Sequence, residues 1–281
     1  MVFGRERRPD EPFGLSKAVC VARSTRPDLL AACQDGGVAT TLLTSALTSG
    51  AIDGAALSGI DPSTPWRPRP RLATTLDAIV DCAGTRYSYS PNLLAYNRGV
   101  AEGLERIAFV GTPCQILALR RIQNAALRKH SRALAVAIGL FCSECFSYEG
   151  LMIQKIQGDL GLDLKAITKI NIKGGVILHT TTGQTVKIPL RAARRYAEAK
   201  CRYCRDFSAE LADISLGGIG LEGWTLTIIR TDTGEALFRH AVNEGALEVK
   251  SVDDFESAAD LLKKLSALKR NRVENGENAD L

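Results

Sequence analysis

RIAFVGTPCQILALRR, residues 106–121, passes from a strand through a turn into a helix. Arg106 to Val110 is an apolar run of strand length, Gly111-Thr112-Pro113 interrupts it, and a helical stretch follows from Cys114 through Arg121. That order places Cys114 at a strand-to-helix junction, where exposed amides and the helix dipole favour a thiolate.

The same alternation extends outward in both directions. Upstream, Val19 to Ala22 reads as a short strand. Asp35-Gly36-Gly37 then precedes VATTLLTSALTSG, in which Val38, Leu42, Ala46 and Ser49 recur at helical spacing. Asp35 is the expected cap of that helix and Gly50 its expected end, with Ile52 to Leu57 the next strand. DPSTPWRPRPR, residues 61–71, reads as a loop because of its prolines. Leu76 to Val80 begins a helix leading into CAGTRYSYSPNLL, residues 82–94.

Downstream, Leu134 to Phe141 reads as a buried strand delivering Cys142 and Cys145 at its carboxyl end, so the two cysteine junctions can meet at one sheet edge. MIQKIQGDLG is amphipathic, and residues 170–172, 176–179 and 185–188 read as short strands around glycine-rich turns. Trp224 to Arg230 reads as a strand with TDTGE as its hairpin turn. Leu237 to Val242 and Phe255 to Leu268 are helical, followed by a polar tail. The expectation is a mixed α/β fold, with helices around mixed sheets and a domain boundary near residue 100.

At 281 residues, 45% hydrophobic and 24% charged, the chain is long enough for one large or two modest globular domains. The N-terminus lacks the apolar core of a secretory signal, and the most apolar runs are of strand length, far short of a membrane span. The expectation is therefore a cytoplasmic protein without a membrane span. In that reducing setting its 8 cysteines point to metal, redox chemistry or burial rather than disulfides. The net charge of +5, with arginines concentrated at 67–71, 120–128 and 191–205, favours acidic partners. No nucleic-acid signature accompanies it, so an anionic cofactor or an acidic protein surface fits as well. The 3 histidines lack metal spacing, and no nucleophile–base pair supports hydrolysis.

Cys20, Cys33 and Cys82 are isolated among small or apolar neighbours and read as buried thiols. Cys114, Cys142, Cys145, Cys201 and Cys204 lie at element ends or turns. Four thiolates satisfy either a cubane iron–sulfur cluster or a zinc tetrahedron, and spacing leaves both open. A thioredoxin-like dithiol is disfavoured because Cys201-x-x-Cys204 follows the charged stretch RAARRYAEAK. The Asp35-Gly36-Gly37 helix start suits either a phosphate or an ordinary cap. Residues 84–91, GTRYSYSP, offer hydroxyls, a guanidinium and two rings, a mixture suited to an anionic aromatic ligand. Gly217-Gly218-Ile219-Gly220 lacks the Rossmann spacing.

Together QDGGVATTLLTSAL, AGTRYSYSPN, VGTPCQILALRR, GLFCSECF, CRYCRDFSAELADISLGGIG and GWTLTIIRTDTGE, spread over about residues 16 to 240, resemble the coenzyme F420 hydrogenase/dehydrogenase beta-subunit family. The resemblance implies a flavoprotein carrying FAD and at least one [4Fe–4S] cluster, which exchanges electrons with the deazaflavin F420. It implies cluster ligands at Cys114, Cys142, Cys201 and Cys204, at loop and element ends. Cys145 occupies a place where the hydrogenase subunit has asparagine. FAD contacts are implied at Gly36, Gly37, Thr85, Arg86, Tyr87, Ser88, Ser90 and Pro91.

On that basis residues 16–100 form a flavin-associated α/β region, 101–245 the iron–sulfur/F420 region, and 246–281 a C-terminal helix and tail. FAD is expected to convert between one-electron transfer at the cluster and hydride transfer at F420, with no side chain acting as a covalent nucleophile. The basic surface then faces the phosphate and glutamates of F420. Neither a nickel-binding pattern nor an extra ferredoxin run is present. The implied partners are hydrogenase large and small subunits, or another electron-donating complex such as a formate dehydrogenase, in a multisubunit assembly. The competing expectation is a non-catalytic electron-transfer subunit.

Overall fold

Eight strands form one sheet in the order β11-β1-β10-β9-β5-β4-β2-β3 in the computed structural model, which describes residues 3–125 and 127–274. The strands are β1 (Ala18–Ser24), β2 (Gly54–Ile60), β3 (Pro68–Ala73), β4 (Ile107–Gly111), β5 (Leu134–Leu140), β9 (Ile214–Gly217), β10 (Thr225–Ile229) and β11 (Leu247–Ser251). β6 (Ile167–Ile172), β7 (Gly175–Thr180) and β8 (Thr185–Pro189) make a separate antiparallel meander. The helices are α1 (Pro27–Ala32), α2 (Val38–Thr48), α3 (Leu76–Val80), α4 (Leu93–Ala101), α5 (Pro113–Asn124), α6 (Arg128–Ala133), α7 (Leu190–Arg194), α8 (Asp232–Asn243) and α9 (Glu256–Glu274). The mixed α/β expectation holds, and the large sheet takes strands from both sides of residue 100.

β4 shows why the layers assemble. Its residues are buried on both faces, as expected of a strand with parallel neighbours on each side. Ile107 and Phe109 pack with Tyr96 and Val100 of α4 and Ile116 and Leu119 of α5. Ala108 and Val110 turn the other way, to Leu42 and Ala46 of α2 and Leu237 and Phe238 of α8. Alternation along one strand thus serves two helical layers. The small sheet buries its own cluster, including Met152, Ile156, Val176, Leu178 and Ile188, against a π-helix at Tyr148–Asp159. α9 lays Ala258 and Leu262 on Val21, Phe207, Leu226 and Ile228, so its apolar face packs on its own chain. Residues 275–281 of the expected polar tail lie outside the described residues.

Three local expectations change. β3 starts at Pro68, inside the expected loop, because a strand paired only with β2 has an outer edge where a missing N–H is harmless. TDTGE begins α8 instead of turning a hairpin: the Thr231 hydroxyl accepts from the Gly234 N–H at 3.1 Å, with Asp232 and Glu235 in the first turn. β10 already has β1 and β9 on its two sides, leaving no place for a returning strand. Finally, the cap of α2 is Gly37, in the left-handed region at φ 69°, and Asp35 does not cap it. No helix among the described residues is long and apolar enough to cross a membrane.

Candidate functional site

β2, β4, β5 and β9 run parallel, and β1 shares their direction because it is antiparallel to β10, itself antiparallel to β9. Their carboxyl ends therefore open on one edge, where α/β sheets hold their ligands. That edge receives Ser24 at the end of β1, Thr112-Pro113-Cys114 after β4, Cys142 after β5 and Gly217-Gly218 around the end of β9.

The Asp35-Gly36-Gly37 segment is pinned there. Ser24 N donates to Gly36 O at 2.7 Å, and Gly36 N donates to the Thr225 hydroxyl at 3.1 Å. A Cβ at Gly36 would stand 2.6 Å from the Ala22 carbonyl oxygen and 2.8 Å from Thr225 N, so only hydrogen fits. The Asp35 carboxylate fills the space beside Gly218 that a side chain there would need. This gives the glycine pair that lacked Rossmann spacing a role in packing. Burial raises the Asp35 pKa, opposed by the charges of Lys169 and Lys173 from the small sheet.

The 84–91 loop closes over the same edge. Asn92 donates from Nδ2 to Val110 O at 2.9 Å, Ser90 Oγ donates to Asn92 Oδ1 at 2.7 Å, and the Gln115 amide donates to Ser90 O. The loop is thereby tied to both the end of β4 and the start of α5. Phe146 N donates to Tyr87 O at 2.9 Å, while Lys200 lies 3.9 Å from the Tyr89 ring centroid, joining this loop to the cysteine-bearing segments. Burial drives the Tyr87 hydroxyl pKa upward, with the Asp35 charge adding to it. Arg86 turns Nη1 onto the Ala83 and Gly84 carbonyls at 2.5 and 2.6 Å. Its Nε, like the Ser88 hydroxyl, is buried without a hydrogen-bond partner among the described residues.

The five cysteines singled out by position come from three segments. Cys114 is exposed in the first turn of α5, 3.3 Å from the Thr112 hydroxyl. Cys142 and Cys145 have their sulfurs 3.9 Å apart, and Cys145 N donates to Cys201 Sγ at 3.3 Å. Cys142 N donates to Phe207 O at 2.9 Å and Glu198 N to Cys145 O at 2.8 Å, lacing the two loops together. The hydrogen bond from Cys145 lowers the Cys142 pKa against burial, and the same bond raises that of Cys145, with burial and the charges of Cys142, Cys201 and Cys114 adding to it. Burial also raises Cys201 and Cys204. Among the described residues, no group of three or more histidine, cysteine or acidic side chains is drawn together tightly enough to hold a metal ion. Cys20, Cys33 and Cys82 lie apart as buried or half-buried thiols, Cys33 against the Thr40 hydroxyl at 3.5 Å.

Sequence reasoning missed Lys269 of α9. It is 5% exposed, and its Nζ donates to Cys142 O at 2.6 Å. Burial opposes its charge, but Cys142, Cys204 and Asp206 outweigh that penalty and raise its pKa. The signal was available: Lys269 falls on the same stripe as Ala258, Leu262 and Ser266, all buried. Asp206 was also overlooked; burial, followed by the Glu210 charge, pushes it up to about 6.

Residues 104–255 match the carboxyl-terminal family of the coenzyme F420 hydrogenase/dehydrogenase beta subunit, and residues 19–97 match its N-terminal counterpart. The chain is similar to coenzyme F420 hydrogenase subunit beta of Methanothermobacter thermautotrophicus, with 35% identity over 93% of this chain and 94% of that protein. It is 35% identical to the subunit of the same description from Methanosarcina barkeri, over 92% of this chain and 90% of the other. In structure it resembles a chain of the F420-reducing [NiFe] hydrogenase complex from Methanosarcina barkeri. There the TM-score is 0.91 at 32% identity, covering 97% of this chain and 94% of that one.

Proposed function

This chain belongs to the coenzyme F420 hydrogenase/dehydrogenase beta-subunit family, and from that premise we propose that it is the F420-reacting subunit of a hydrogenase complex. In this reading it passes electrons between a [4Fe–4S] cluster, FAD and coenzyme F420, beside hydrogenase large and small subunits. The observation that carries it is the convergence, on one carboxyl sheet edge, of the 35–37 and 84–91 segments with the laced cysteine loops.

The residue types present suit both groups. Five thiols supply the soft donors a cubane needs, those of Cys142, Cys145 and Cys201 on two cross-tied loops, and Cys114, Cys142, Cys201 and Cys204 would hold it. Gly37 starts α2 with no side chain of its own, and a helix N-terminus suits a dinucleotide phosphate, while Gly36 would hold that entry in place by its packing against β1 and β10. The unpartnered buried Arg86 Nε and Ser88 Oγ mark a place where a polar ligand would complete the hydrogen bonding. Thr85, Tyr87, Ser90 and Pro91 would shape the same cradle. FAD, when bound, exchanges a hydride with F420 and single electrons with a cluster. The protein orients the reactants and excludes water: the Asn92 and Gln115 bonds fix the loop, while Lys200 against Tyr89 closes it toward the cysteines.

Anaerobic purification followed by iron, acid-labile sulfide and flavin counts, with an assay of dye reduction by reduced F420 on the same sample, tests this. The reading expects four irons and one FAD per chain together with turnover. Zinc in place of iron, no flavin and no turnover would sink it.

A further inference from the structure

α9 carries two cations to the cysteine loops from outside both of them. Lys269 shares its buried stripe with Ala258, Leu262 and Ser266, and a lysine is rarely buried without partners. Its Nζ donates to the Cys142 carbonyl at 2.6 Å, and its charge acts on the thiols of Cys142 and Cys204. About one turn on, Arg272 donates to the carbonyls of Cys201 and Ser143 at 3.3 and 3.5 Å. It also lies 3.6 Å from the Glu144 carboxylate, whose other oxygen is 2.9 Å from Arg194. A helix that merely covered the sheet would need only its apolar residues, Ala258 and Leu262, at this interface.

We propose that Lys269 is a positioning residue of the cysteine centre: its buried ammonium holds the Cys142 loop to α9 and biases a bound iron–sulfur cluster toward its reduced form. This rests on the cluster reading above. Reduction adds one electron, supplied by the redox partner in the relay, and makes or breaks no bond to Lys269, which keeps its proton. The fixed positive charge interacts more favourably with the more negative reduced cluster, and burial strengthens that preference.

The test uses the full chain, purified anaerobically and reconstituted with iron and sulfide, titrated against redox dyes and followed by electron paramagnetic resonance. Lys269→Met keeps the length without the charge, whereas Lys269→Arg keeps the charge. The methionine variant is expected to hold the native iron content yet shift the reduction equilibrium at least tenfold toward the oxidised form, about 59 mV for a one-electron couple. The arginine variant is expected to return toward the native potential. An iron-loaded methionine variant with the native potential would overturn the proposal, as would an arginine variant shifted equally far. If the methionine variant folds but takes up no cluster, the arginine variant decides: a native potential supports the proposal, and failure to load overturns it. A native chain that takes up no cluster overturns the relay reading itself before any variant is compared.

Discussion

Replacing Gly36 with alanine is expected to do more damage than replacing its neighbour Gly37, although only Gly37 has a positive φ. The new methyl at Gly36 would sit 2.6 Å from the Ala22 carbonyl oxygen and 2.8 Å from Thr225 N, both backbone atoms of the central sheet. Neither can swing aside, so the segment must lift. Overpacking of this kind costs about 1–3 kcal/mol. Lifting also strains the Ser24–Gly36 bond at 2.7 Å and the Gly36–Thr225 bond at 3.1 Å. Each such bond contributes about 0.5–1.5 kcal/mol net, giving a loss of about 2–6 kcal/mol if both fail.

A methyl at Gly37 meets Cys33 Sγ at an ordinary 3.4 Å. Its cost is mainly the left-handed backbone, about 1–2 kcal/mol. Urea unfolding followed by circular dichroism, paired with released-flavin counts, measures both effects. Gly36→Ala should be the less stable variant and should retain less FAD. A Gly36→Ala protein within about 0.5 kcal/mol of native, or one more stable than Gly37→Ala, would refute the packing argument.

Asp213→Ala removes a carboxylate with Oδ1 3.0 Å from Arg120 Nη2 and Oδ2 accepting from Ala137 N at 2.7 Å, the two ion-pair side chains each 9% exposed. It should cost about 3–5 kcal/mol by denaturant unfolding, and a loss under about 1 kcal/mol would show the pair to be dispensable. Cys145→Ala should keep the native iron content because Cys145 supports Cys201 through its main-chain N–H, whereas Cys201→Ser should lose most of it; iron assay of both variants decides. Burial pushes the Tyr96 hydroxyl up to about 12. Its contribution is therefore fully present below the unfolded value of about 10 and is lost as pH rises toward about 12. Denaturant midpoints across that window should fall less steeply for Tyr96→Phe; an unchanged slope would exclude Tyr96 as the source.

Legibility followed range along the chain. Residues 106–121 were readable because apolar run, turn and helix are contiguous, and the strand length of the run with Gly111 and Pro113 at its end settles what the unbroken apolar pattern of β4 leaves open. TDTGE misled because Thr, Asp and Gly serve a hairpin and a helix cap equally well. The choice between them lay in the strands flanking β10, one of them about two hundred residues upstream. The prolines of β3 misled for a related reason, since edge position is a property of the sheet. Lys269 stayed hidden because its partner Cys142 is 127 residues away, although its place on the stripe was visible.

The residue order by itself determined the alternating helices and strands, the glycine-rich α2 entry, the 84–91 loop chemistry and the separation of five junction cysteines from three isolated ones. These depend on local sterics and hydrophobic period, which act over a few residues. Tertiary structure decided that the carboxyl ends of β1, β2, β4, β5 and β9 share one edge, that Asp35 faces Gly218, and that α9 brings Lys269 to Cys142. Those juxtapositions follow from strand order and from the burial of apolar surface over the whole chain, sums to which each local stretch contributes only a part.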